Sequence, residues 1–262
     1  MKDNFSTQSD NYAKYRPTYP PDFFAYLSAI VPEKQLAWDC GTGNGQVAYE
    51  LAKLFTQVYA TDISQSQIDN ALQADNIHFS VEPAEKTNFG DQLFNLIVVA
   101  QAIHWFDFEQ FYKEVRRTAK KDALFCVVGY GRLHVSEQID CLITDFYENI
   151  IGKYWDKERI YIDENYRTIP FPFDEIPTPN FVNTQHWTLE HLIGYLSTWS
   201  AVKHFVKQNG YNPIDKLQAE IQKIWDKETT KQINFPLLLR IGRIKNGNKD
   251  GTDEIAFKIS QS

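Results

Sequence analysis

Cysteine is scarce in this 262-residue chain: there are three, Cys40, Cys126 and Cys141, an odd number without metal-site spacing. A disulfide framework and a cysteine-built metal centre are therefore poor organising principles, and reduced thiols fit a cytoplasmic setting. His186 and His191 likewise have no metal partner at useful spacing, so no metal is expected. No run approaches the roughly 18 apolar residues of a membrane span, and the opening Met-Lys-Asp-Asn-Phe-Ser contains no apolar signal region. These absences predict a protein that is neither in a membrane nor exported. Basic residues are outnumbered, 27 against 34 acidic ones, for a net charge of −7. Arg116, Arg117, Lys120 and Lys121 form the only tight basic cluster, and it falls where a helix should end. There it complements the helix dipole rather than tracking a phosphate backbone, which argues against nucleic acid as a partner. Internal repeats and a separable linker are also missing, leaving the oligomeric state open.

Aromatic residues, by contrast, are plentiful at 15%, enough to line a ligand pocket as well as fill a core. The chain is organised around residues 36–46, Leu-Ala-Trp-Asp-Cys-Gly-Thr-Gly-Asn-Gly-Gln. An apolar run ends in Asp39, and Gly41, Gly43 and Gly45 follow before helical spacing begins, which reads as a strand, a tight loop and a helix. Alternate glycines permit positive φ and close ligand approach, and the loop delivers N–H groups at the positive end of the next helix. Val58 to Asp62 is a short apolar run closed by a carboxylate about 20 residues on, where ribose-binding acids sit in nucleotide-binding βαβ units. Together these predict an adenosine-type ligand. The dehydrogenase fingerprint would put its third glycine at position 46, which is Gln. Asp39 would also repel a pyrophosphate, whereas a ligand with an ammonium group tolerates it.

In these motifs the chain resembles the class I S-adenosylmethionine-dependent methyltransferases over about residues 11–130. The resemblance implies an α/β fold, Rossmann-like and doubly wound, with a mostly parallel seven-stranded sheet. S-adenosylmethionine would be the cofactor, its methionine end on Asp39, Gly41, Gly43 and Gly45 and its ribose on Asp62, next to Ile63. Glu85, following Ala84, matches the residue that bonds the adenine amino group, although a surface Glu opening a loop reads as well. Residues 12–19 place Tyr12, Tyr15 and Tyr19 at helical spacing with Arg16 among them. In related enzymes such a segment folds over the cofactor as a lid; an arm that only packs on the domain is the alternative.

Strands are expected at 35–39, 57–62, 77–82, 93–100 and 123–130, with helices at 23–30, 45–55, 64–74 and 108–119. The unbroken apolar run at 93–100 marks a strand buried on both faces. Beyond it a helix at 136–153, a proline-rich loop at 169–179, a strand at 181–187, helical segments at 188–208 and an apolar stripe at 214–224 are read. The last strand is expected at 234–245, inserted antiparallel between strands five and six by the resemblance, before a turn-rich tail. One domain spans 1–262: a cofactor-binding half (32–131), a mostly helical substrate or cap region inserted after strand five (132–233), and the last strand and tail (234–262).

Gln101 to Asp107, Gln-Ala-Ile-His-Trp-Phe-Asp, continues strand four into the region where open α/β sheets bind ligands. His104 could take a proton from an acceptor, orient a carboxylate that needs no base, or be an ordinary loop histidine. Tyr12, Tyr15, Trp105, Phe106, Tyr195 and Trp199 are available as walls or as aromatic faces for a sulfonium. The Asn/Asp-Pro-Pro-Tyr/Phe element of enzymes acting on base amines is missing at this strand end, which favours a small-molecule acceptor. The nearer resemblance is to the methyltransferase type 11 group, and within it to trans-aconitate methyltransferase-like proteins, through the Gln101–Asp107 element and Leu196-Ser-Thr-Trp-Ser200. It implies a small acid made into a methyl ester, with Arg16, Arg132 and Arg240 as carboxylate ligands, or as helix-end and surface arginines. A non-catalytic nucleotide-binding module, a dehydrogenase and an aminopropyl transferase are the competing readings.

Overall fold

In a computed structural model of the chain, residues 14–226 and 228–245 are described. Seven strands form one path in the order β3-β2-β1-β4-β5-β8-β6, and β7 pairs with β8 off this path. The strands are β1 Leu36–Cys40, β2 Gln57–Asp62, β3 Ile77–Val81, β4 Phe94–Ala100, β5 Ala119–Tyr130, β6 Asp174–Ile176, β7 Val182–Thr188 and β8 Thr230–Arg243. β1 to β5 pair in parallel, and β8 runs antiparallel to both β5 and β6. The helices of the first half are α1 Pro21–Ile30, α2 Gln46–Ala52, α3 Gln65–Asp69 and α4 Phe108–Thr118.

Local chemistry accounts for these elements. The ring of Pro21 suits the first position of α1, where a missing N–H costs nothing. Ser64 caps α3 by accepting from Gln67 N, and Asp107 caps α4 by accepting from Gln110 N at 3.1 Å. Phe94 through Val99 are buried because helices cover both faces of β4. Each of its large apolar side chains contributes about 1.5–3 kcal/mol by leaving water. From β1 the chain winds to β3 in one direction and then to β5 in the other. A ligand crevice opens at that reversal, beyond the carboxyl ends of β1 and β4.

Several boundaries differ from those expected. α3 stops at Asp69, and Ala71 to Ala74 lie outside any helix. β5 begins at Ala119 and β8 at Thr230, both four residues early. The helix expected at 136–153 ends as α5 Glu137–Asp145, followed by a π turn, Phe146–Ile150, and a 3₁₀ turn, Gly152–Tyr154. The proline-rich loop contains β6, held by pairing with β8 rather than by any pattern of its own. The region 132–233 thus carries two strands besides α5, α6 Ile160–Asp163, α7 Leu189–Ser197, α8 Ser200–Asn209 and α9 Ile214–Ile221. The expectations at Tyr12 and the tail from residue 246 lie outside the described residues. Among the described residues no helix is long and apolar enough to cross a membrane, and no three metal-ligating side chains come together.

Candidate active site

The loop after β1 is built by Asp39 and Asp62 acting on its backbone. Asp39 is completely buried, and its Oδ2 accepts from Thr42 Oγ1 at 2.5 Å and from Ala48 N at 3.0 Å. Burial pushes its pKa up to about 7, against the hydrogen bonds from Thr42 and Ala48, and the charge of Asp62 pushes the same way as burial. Asp62 Oδ2 accepts from Gly43 N and its Oδ1 from Ser64 N, both at 2.9 Å, while Gly41 N and Thr42 N donate to Thr61 O at 2.8 and 2.9 Å. Gly41, Gly43 and Gly45 take φ of +70°, +55° and +77°. A Cβ at Gly41 would lie 2.7 Å from Ala102 Cβ, and one at Gly45 would press on Phe79 and Ala71 at 3.2–3.3 Å.

A cleft of about 900 Å³, part of it open to solvent, lies along this loop; Gly41, Gly43, Asp62, Ile63, Gln101 and Trp105 are among its walls. Arg16 closes one side, with Nη1 donating to Tyr130 Oη at 3.1 Å and the guanidinium over the Tyr195 ring at 5.4 Å. A second chamber of about 520 Å³, also partly open to solvent, shares Arg16, Gln101 and Trp105 with the cleft. It adds His104, Trp155, Asp156, Arg159, Ile162, Trp199 and Ser200.

The other expected residues stand elsewhere. Asp39 and Gly45 brace the loop from behind without lining the cleft. Ala84 is buried, and Glu85 Oε1 accepts from Asp107 N at 3.1 Å; neither lines the cleft. Tyr15 lies edge-on to His191 at 5.2 Å and covers Gly194, and Tyr195 lies beneath Arg16, so both anchor the arm rather than face either cavity. Arg132 pairs with Glu148 at 3.0 Å. Arg240 holds Glu175 through two bonds of 2.8 Å. Neither arginine reaches the chamber. In the basic cluster, Arg117 is tied to Glu114 and Asp91, and Arg116 to the Pro172 carbonyl.

Arg159 was missed, and with it the segment 154–163 that supplies four of the chamber's ten lining residues. Its Nε donates to Tyr147 Oη at 2.8 Å, Tyr147 Oη donates to Asp163 at 2.7 Å, and the guanidinium stacks on Trp155 at 4.6 Å. Tyr147 belongs to the π turn, a local irregularity common at functional sites. The sequence signal was Trp155 and Arg159 four residues apart around Asp156, with no helical or strand periodicity to draw attention to them.

His104 sits in the 3₁₀ turn Ile103–Trp105 with its Nδ1 buried and without a hydrogen bond. Burial, with smaller contributions from the Arg159 and Arg16 charges, lowers its pKa to about 3. The imidazole is therefore neutral through the physiological range. Between pH 6.5 and about 3 the unfolded chain binds this proton first, so the group removes stability as pH falls through that window and is silent above it. The His104 Cε1 proton, assigned by its loss in His104→Gln, should stay unmoved from pH 8 to pH 5 in an NMR titration; a midpoint near 6.5 would refute the burial argument.

Comparisons with known proteins agree with this geometry. Residues 38–127 match the model of a methyltransferase domain. A Dictyostelium discoideum protein named as a methyltransferase is 30% identical over 251 residues, covering 92% of this chain and 95% of its own. A Saccharomyces cerevisiae protein named as an S-adenosylmethionine-dependent methyltransferase is 25% identical over 181 residues, 63% of this chain and 59% of its own. Among solved structures, a protein of Anaeromyxobacter dehalogenans named as a type II methyltransferase superposes with a TM-score of 0.83 at 34% identity, over 89% of this chain and 100% of that one.

Proposed function

Because this chain belongs to the class I S-adenosylmethionine-dependent methyltransferases, we propose that it methylates a carboxylate of a small organic acid held in the second chamber. The observation that carries this reading is the shared wall: Arg16, Gln101 and Trp105 face both the cleft and a chamber that adds Arg159 and a neutral histidine. The cleft suits the cofactor on its own geometry. Asp62 stands on the cleft wall with its carboxylate oriented by the Gly43 and Ser64 N–H groups, the place where a ribose diol would donate to it. Gly43, where a Cβ would meet only Gln67 at 3.9 Å, leaves a bare backbone edge on the cleft wall for close approach of a ligand.

When bound, S-adenosylmethionine supplies an electrophilic methyl group, taken in line by an oxygen lone pair as the carbon–sulfur electron pair returns to sulfur. The protein's part is to position the partners and exclude water. Trp105, on the wall shared by both cavities, is the aromatic side chain that would hold the sulfonium by cation–π attraction. Arg159, held by Tyr147 and Trp155, orients an anionic acceptor by charge-assisted bonds. His104, neutral in the ligand-free protein, can donate its N–H to a carboxylate, an acceptor that needs no base because it has no proton to lose. The buried free thiols Cys40 and Cys126 and the exposed Cys141 support a reducing, cytoplasmic setting.

The test is transfer from methyl-labelled cofactor to a panel of small acids, alcohols and amines. Base-labile label, released as methanol, is expected from the acids alone. Arg159→Gln should lower that turnover by more than about tenfold, the worth of a charge-assisted bond, at unchanged affinity for S-adenosylhomocysteine. Base-stable product from an amine or alcohol would overturn the carboxylate reading.

A further inference from the structure

Tyr166 lines neither cavity, yet it touches the partition between them. On the reading that these cavities hold cofactor and acceptor, we propose that Tyr166 is a positioning residue whose hydroxyl fixes the amide of Gln101 for both ligands.

Gln101 is a non-glycine residue at φ +54°, directly after β4, with its N donating to Val128 O at 2.9 Å. Its Nε2 donates to the Tyr130 carbonyl at 3.2 Å, and its Oε1 accepts from Tyr166 Oη at 3.2 Å. These two anchors settle which way the amide faces. An amide nitrogen has two N–H groups, so one donor remains for a ligand at the shared wall. Without the Tyr166 hydroxyl only the Tyr130 carbonyl holds the amide, and the remaining N–H is no longer kept on the ligands.

The molecule goes to some length to hold Tyr166 there. It is fully buried at φ +59°, directly after Asn165 at φ +55°. Such conformations are unfavourable for non-glycine residues and persist where the surroundings enforce them. Tyr166 N donates to Tyr161 O at 2.7 Å. Arg240 Nη1 donates to the carbonyls of Tyr166 and Ile169 at 3.2 and 2.7 Å, and Glu175 of β6 fixes that guanidinium in turn. β5 makes room with Gly129, where a Cβ would lie 2.8 Å from the tyrosine ring and hydroxyl. Arg240, a candidate acceptor ligand from sequence, thus fastens the turn that carries Tyr166.

The experiment is a double-mutant cycle read by calorimetry with S-adenosylhomocysteine on wild type, Tyr166→Phe, Gln101→Ala and the double variant. Each single change should weaken binding about fivefold, the worth of one ordinary hydrogen bond, and Tyr166→Phe should cost nothing further in the Gln101→Ala background. Full affinity in Tyr166→Phe, or a loss that persists without Gln101, would overturn the proposal. The Gln101 side-chain amide of the ligand-free protein gives a second readout by NMR. It should exchange slowly with water in wild type and faster in both Tyr166→Phe and Gly129→Ala, which displaces the ring but keeps the hydroxyl; equal exchange in all three would also overturn it. A wild type that binds no S-adenosylhomocysteine would instead sink the cofactor reading.

Discussion

Asp62→Ala should lower affinity for S-adenosylhomocysteine by at least about a hundredfold. The carboxylate sits at the carboxyl end of β2, and its two oxygens are aimed by the N–H groups of Gly43 and Ser64. A ribose diol would donate two charge-assisted bonds to it, each worth about 1.5–3 kcal/mol, and tenfold in affinity corresponds to about 1.4 kcal/mol. The loop also loses the brace on Gly43, so part of the cost is paid in loop order. Asp62→Asn keeps the shape and one acceptor oxygen and should fall between wild type and alanine. Calorimetry at fixed salt measures the series; an alanine variant within about twofold of wild type, against the bond energies above, would show that the ribose lies elsewhere.

The second large effect belongs to Gly41→Ala. At φ +70° an alanine is strained whatever the space, by about 1–2 kcal/mol, and its Cβ would meet Ala102 at 2.7 Å and Phe106 at 3.2 Å. Neither neighbour is the flexible end of a long side chain. Overpacking of this kind costs a further 1–3 kcal/mol or so. Chemical denaturation should therefore show a loss of about 2–5 kcal/mol, with binding of S-adenosylhomocysteine strongly weakened because the loop on the cleft wall must shift away from Ala102. Gly43→Ala has the same φ problem at +55° but meets only Gln67, at 3.9 Å, and should be the milder variant in stability. Equal stability for Gly41→Ala and wild type would mean that the loop is looser than its hydrogen bonds imply.

How much of this could be read from the chain depended on whether a residue's role is local. The loop at Gly41–Gly45, the acid at the end of β2 and the buried run of β4 announce themselves because φ, strand-end position and burial on both faces each leave a sequence pattern. Caps at Ser64 and Asp107 were legible for the same reason. β6 was not, because three residues among prolines become a strand only when β8 arrives beside them. The long helix expected after residue 136 failed at Phe146, where the apolar pattern continues and only the π turn reveals that Tyr147 faces Arg159 and Asp163. Arg132 and Arg240 were nominated as ligands on charge alone; their partners Glu148 and Glu175 lie 16 and 65 residues away. Arg159 belongs to the chamber through the same long-range folding, and its spacing from Trp155 and Asp156 carries no helical or strand periodicity.

A crystal structure of the complex with S-adenosylhomocysteine shows at once whether Asp62 and the shared wall hold one ligand. The ribose hydroxyls should lie on Asp62, with the sulfur at the wall of Arg16, Gln101 and Trp105 and its open side toward Arg159 and His104. A ribose remote from Asp62, or a sulfur turned away from the second chamber, would rule out this arrangement of cofactor and acceptor.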